Sequence, residues 1–72
     1  MNIKEKIGAR MKELREAKGL SQKDVAYAAD LDRSYIASVE SGARNISSVN
    51  IEKIAKALQI SVRTFFNDEK FE

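Results

Sequence analysis

Leu20-Ser21-Gln22-Lys23-Asp24-Val25-Ala26-Tyr27-Ala28-Ala29-Asp30-Leu31-Asp32-Arg33-Ser34-Tyr35-Ile36 is the stretch that decides the fold. Ser21 is suited to cap a helix, and Asp24 puts a negative charge in its first turn, facing the positive end of the dipole. The pattern predicts a short helix from Gln22 to about Ala29 that buries Val25, Ala26 and Ala29. Asp30-Leu31-Asp32 breaks it. Asp30 stands where a sharp turn requires a left-handed backbone; glycine is usual there, and aspartate tolerates it better than most residues. Asp32 is placed to cap a second helix from Arg33 to Ser41, which Gly42 closes. Val25, Leu31 and Ile36 fall on the inside of the angle, and Ala26 lets the two helices approach closely. The second helix is left protruding.

Working outward, residues 3–18 read as an amphipathic helix, with Ile3, Ile7, Met11 and Leu14 on one face. Asn2 and Glu5 have the spacing of a reciprocal cap, and Gly19 fits the position just beyond the helix end. On the other side Ala43-Arg44-Asn45-Ile46 reads as a loop. Ser47 then caps a helix from Ser48 to about Leu58, with Val49, Ile51, Ile54, Ala55 and Leu58 facing inward. Ser61 caps a last short helix from Val62 to about Asn67. No segment alternates apolar and polar residues over strand length. The expected fold is all-α, a compact five-helix bundle forming a single domain over residues 1–72, with neither linker nor repeat.

Composition narrows the function. The 72 residues are 43% hydrophobic and 33% charged, the balance of a soluble globular chain. There is no Cys and no His, which excludes disulfides, thiolate chemistry, zinc sites built on those ligands and imidazole-dependent triads. The pair Glu13 and Glu16 has no third ligand or base in reach, so no catalytic residue and no metal site is expected. The longest apolar run, Val25–Ala29, is five residues, far short of a membrane span. The charged opening Met1-Asn2-Ile3-Lys4-Glu5-Lys6 is unlike a secretory signal, and a cytoplasmic location with no membrane partner is expected. The net charge is +2, and because Asp68, Glu69 and Glu72 outweigh Lys70 at the end, residues 1–67 carry +4. That mild basic excess is compatible with nucleic acid without being diagnostic of it.

Two short helices at a sharp crossing are what a helix-turn-helix demands, here over about residues 21–41. The sequence resembles the Xre/lambda-repressor-like family of helix-turn-helix regulators over residues 4–66. The resemblance is carried by Leu14-Arg15, Gly19-Leu20-Ser21-Gln22, Val25-Ala26, Ile36 with Glu40-Ser41-Gly42, and Ile54-Ala55-Lys56-Ala57-Leu58. Leu31-Asp32-Arg33-Ser34-Tyr35-Ile36 with Glu40-Ser41-Gly42-Ala43-Arg44-Asn45 is most similar to the controller proteins of restriction–modification systems. Ile46 departs from relatives that place Pro before the cap. The resemblance implies a sequence-specific DNA-binding transcriptional regulator that acts as a homodimer on a pseudo-palindrome and controls restriction–modification genes and its own gene. A general or prophage repressor, or an antitoxin, shares most of the pattern. Antitoxins usually carry an extra neutralising segment, and only six residues follow Phe66.

The residues that would carry this follow. Arg33, Ser34, Tyr35 and Ser38 project from the protruding helix as base contacts, since Arg reads guanine O6 and N7 in the major groove and Tyr offers an apolar face to a thymine methyl. Ser21 and Gln22 can meet a phosphate at the start of the preceding helix. Arg44, Asn45, Ser48 and Asn50 can grip backbone on the other side; the resemblance also leaves a base or minor-groove role open for Arg44. By resemblance to phage repressors, Arg15 and Glu40 match a buried ion pair that fixes the recognition helix. Ile60, Val62, Phe65 and Phe66, within a dimerisation region of about residues 58–72, hold more apolar bulk than one short helix buries. A two-fold contact centred on Val62 and Phe66 is expected, with half-sites about 34 Å apart. The plainer readings also stand: Ser21 and Ser47 are structural caps first, at least one of Phe65, Phe66 and Phe71 is core, and Lys4, Lys6, Lys12 and Lys18 solvate the first helix. No cofactor and no small-molecule effector is expected. An enzyme is a poor reading, for want of His, Cys, a Gly-rich phosphate loop and room for a cleft.

Overall fold

A computed structural model describes residues 1–72. Asn2 and Glu5 bond each other's backbone amides at 2.9 Å in both directions, and this cap starts α1, Ile3–Ala17. Then follow α2 (Gln22–Ala29), α3 (Arg33–Glu40), α4 (Ser48–Ala57), α5 (Val62–Phe66) and a 3-10 turn at Glu69–Phe71 that the sequence pattern did not announce. Ser21 and Asp24 form a second reciprocal cap, and Ser47 and Ser61 cap α4 and α5 through their hydroxyls. Asp32 has the extended backbone of a cap, but its carboxylate makes no capping bond. Four helices stop one residue short of the predicted ends, because Lys18, Ser41, Leu58 and Asn67 are the caps themselves.

α1 packs on α3, α2 lies between α3 and α4, and α5 bridges α1 and α4. The core at their meeting point is Met11, Val25, Ile36, Val39, Ile54, Leu58 and Phe65, all fully buried. Val49, expected to face inward, is 60% exposed. It sits about 200° around the helix from Ile51, while Ile51, Ile54, Ala55 and Leu58 keep the inward spacing. Ile3, expected on the buried face of α1, is likewise exposed. No helix is long and apolar enough to cross a membrane.

Gly8 is where α1 touches α3 with no side chain between them. A Cβ there would lie 2.2 Å from the Val39 carbonyl oxygen and 2.8 Å from that of Glu40. The spacing of apolar residues shows α1 as amphipathic but gives no hint that its backbone abuts the end of α3.

Candidate nucleic-acid interface

The turn between α2 and α3 is made by Asp30, which adopts the left-handed conformation with φ 57° and ψ 48°. The Leu31 amide reaches back to the Ala26 carbonyl at 2.9 Å and closes the end of α2. α3 is then seated on the core by Ile36 and Val39, both fully buried. Arg33 and Ser34, in the first turn of the helix, are exposed. The first amides of α3 donate to no side-chain cap, although the Tyr35 amide donates to the Asp32 carbonyl at 3.1 Å.

Glu40, the last residue of α3, is tied down. Its carboxylate accepts from Arg15 Nε at 2.8 Å and Nη2 at 3.0 Å. The Arg15 Nη1 donates to the Leu20 carbonyl at 2.8 Å, and Gln22 Nε2 donates to Glu40 Oε1 at 3.1 Å. The Arg15 and Glu40 side chains are 11% and 3% exposed. The hydrogen bonds to Glu40 raise the Arg15 pKa beyond its ordinary value, overcoming the opposing effect of burial. Arg15 and Glu40 are thus bonded to each other, and Gln22, read as a phosphate contact, spends its side-chain amide on Glu40.

Three of the other expected contact residues come together as one cluster. Asn50 Nδ2 donates to the Tyr35 hydroxyl at 3.0 Å, and the Arg44 guanidinium lies 5.0 Å from the Tyr35 ring centroid, within stacking range. Tyr35 is half-buried and links α3, the α3–α4 loop and α4. Ser38 turns its hydroxyl back to the Tyr35 carbonyl at 3.0 Å. Ser21 is held in its cap with Asp24. Asn45 and Ser48 are exposed on the loop side, apart from the Arg15–Glu40 network. Phe65, expected at a subunit contact, is 1% exposed, and its ring belongs to its own core; the free apolar area nearby is that of Ile60, Val62 and Phe66. Lys12, read as only solvating the first helix, and Ala37, not singled out in the sequence, line a shallow groove between α1, Gln22 and the end of α3. The lysine's place on an evenly charged helix gave no signal.

A short helix anchored on one side, bare on the other and preceded by a tight left-handed turn defines a helix-turn-helix module. Residues 11–65 match the family described as Helix-turn-helix. The control protein C.MunI of a Mycoplasma species is 46% identical over 68 residues, 93% of this chain and 92% of that protein. The crystal structure of the restriction–modification controller protein C.AhdI from Aeromonas hydrophila aligns with a TM-score of 0.85 at 54% identity, covering 88% of this chain and 96% of that one. The structure of the controller C.Esp1396I tetramer in complex with its natural 35 base-pair operator aligns with a TM-score of 0.87 at 36% identity, covering 92% and 87%. The chain belongs to the Xre-like helix-turn-helix family, among the restriction–modification control proteins.

Proposed function

We propose that this protein is a sequence-specific DNA-binding regulator that works in the cytoplasm as a homodimer, without enzymatic activity, and controls restriction–modification genes together with its own. The observation that carries the reading is α3: Ile36 and Val39 hold one side in the core, while Arg33 and Ser34 stand exposed at its start. Entry of that helix start into the major groove brings Arg33 to base edges. Arg44, Asn45, Ser48 and the amides at the start of α2 then hold phosphates on either side. Tyr35, Ser38 and Asn50 join the interface from positions braced within the protein, Tyr35 and Asn50 through their mutual bond.

Two copies are needed because one small module offers too little surface, specific protein–DNA interfaces burying about 1,000–2,500 Å². Val62 is 41% exposed and Phe66 half-buried, and with Ile60 they supply an apolar face for the second copy. Footprinting on the DNA upstream of the chain's own gene tests the reading. Protection of two half-sites about one helical turn apart is expected. Affinity for that DNA no better than for random duplex overturns it.

A further inference from the structure

α5 is five residues long, too short to satisfy its own backbone. Ser61 caps its start. Its end is closed from α1 by Arg10, which donates from Nε to the Phe65 carbonyl at 2.7 Å and from Nη2 to those of Thr64 at 2.9 Å and Asn67 at 3.5 Å. The remaining nitrogen, Nη1, lies 3.4 Å from Asp68 Oδ2. The side chain is 14% exposed. A second fastening follows, where Lys70 Nζ meets both Glu13 oxygens and Asp68 Oδ1 at 3.0 Å. Between these ties the Phe66 ring sits edge-on to Phe65 and to Phe71, with centroids 5.0 and 4.9 Å away.

We propose that Arg10 is the positioning residue of the dimer contact: it fixes α5 and the following turn so that Val62 and Phe66 meet a second copy as one preformed face. The inference rests on the reading that this face is the two-fold contact. All three guanidinium nitrogens of Arg10 are engaged within its own protomer, so its effect on association is indirect. An ammonium cannot replace it, because a point charge lacks the planar fork that spans several carbonyls. Ordering the face in advance removes an entropic cost that association would otherwise carry.

Sedimentation equilibrium of the wild type, Arg10→Met, Arg10→Lys and Val62→Glu tests this, at a temperature where circular dichroism shows each chain folded. Val62→Glu places a charge in the contact and should abolish the dimer. Arg10→Met should raise the dimer dissociation constant roughly ten-fold or more, a factor equivalent to about 1.4 kcal/mol. Arg10→Lys should raise it by less, since its ammonium keeps the charge and a donor nitrogen but not the planar fork. A merely structural arginine would lower the melting temperature and leave the dissociation constant of the folded chains unchanged. An unchanged constant in folded Arg10→Met overturns the proposal while Val62→Glu still upholds the contact. If Arg10→Met does not fold, an unchanged constant in Arg10→Lys overturns it instead. A wild-type monomer, or an intact Val62→Glu dimer, overturns the contact itself and the role of Arg10 with it.

Discussion

Arg15 and Glu40 meet as a two-pronged pair, guanidinium to carboxylate, at 2.8 and 3.0 Å. Through Leu20 and Gln22 the same network reaches the α1–α2 turn and the first residue of α2. The angle between the scaffold and α3 is held at the helix's far end, away from its exposed start at Arg33 and Ser34.

Glu40→Gln should therefore weaken both folding and binding. It leaves a buried Arg15 with half its partner, and breaking a buried pair typically costs about 3–5 kcal/mol. Urea denaturation and operator titration check this. Unchanged values in both would mean the pair is ornamental.

The two arginines at the reading face should separate. Arg33→Ala should cost about 1–3 kcal/mol on the cognate site and relax the preference at one guanine per half-site. Arg44→Ala should weaken cognate and random duplexes more evenly and reduce the salt dependence by roughly one counterion per subunit. Because Arg44 stacks on Tyr35, its loss also unclamps the ring. Titrations against cognate, single-substituted and random duplexes at several salt concentrations decide the matter. Equal losses on all three for Arg33→Ala would make it a phosphate clamp.

Gly8→Ala tests the backbone contact between α1 and α3. Alanine is the better helix former by about 1 kcal/mol, yet its methyl would fall 2.2 Å from the Val39 oxygen. Overpacking of this kind costs about 1–3 kcal/mol, and the neighbour here is main chain. A lower melting temperature with weaker operator binding is expected; a more stable variant would show that the helices part freely.

Much of the fold was legible because it rests on local chemistry. Ser21, Ser47 and Ser61 sit at helix starts and cap them, and Asp30 turns left-handed where the pattern breaks. What escaped depends on the third dimension. Arg10 reads as one more charge on an amphipathic helix, although it closes α5 from across the chain. Phe65 and Phe66 are neighbours of equal hydrophobicity, and only packing decides which ring is core. The Tyr35–Asn50 bond and the Arg44 stack join residues the sequence treated as separate contacts.

The tail fastening should hold over a wide pH range and fail at both extremes. The backbone amide of Lys70, then its ammonium, holds the Asp68 carboxylate below its ordinary 3.8, and Arg10 adds to this. That contribution is complete above 3.8 and is lost as pH falls through the lowered pKa. Asp68, then Glu13, raises Lys70 above its ordinary 10.5, a contribution complete below 10.5 and lost as pH climbs through the raised pKa. Ring-proton shifts of Phe66 and Phe71 should stay constant from about pH 5 to 9 and move only where pH falls below 3.8 or climbs above 10.5. A midpoint near neutrality would contradict this assignment.

Arg33 and Ser34 stand outside the packed core while their helix is gripped at Ile36, Val39 and Glu40. Address and chassis are thus written in different letters. Exposed positions away from packing tolerate exchange within about 0.5 kcal/mol, so on the proposed reading drift at 33 and 34 would redirect the protein to a new operator while its stability stays put. Two restriction systems sharing one cell would then need only a pair of surface substitutions to stop their regulators answering to each other's promoters.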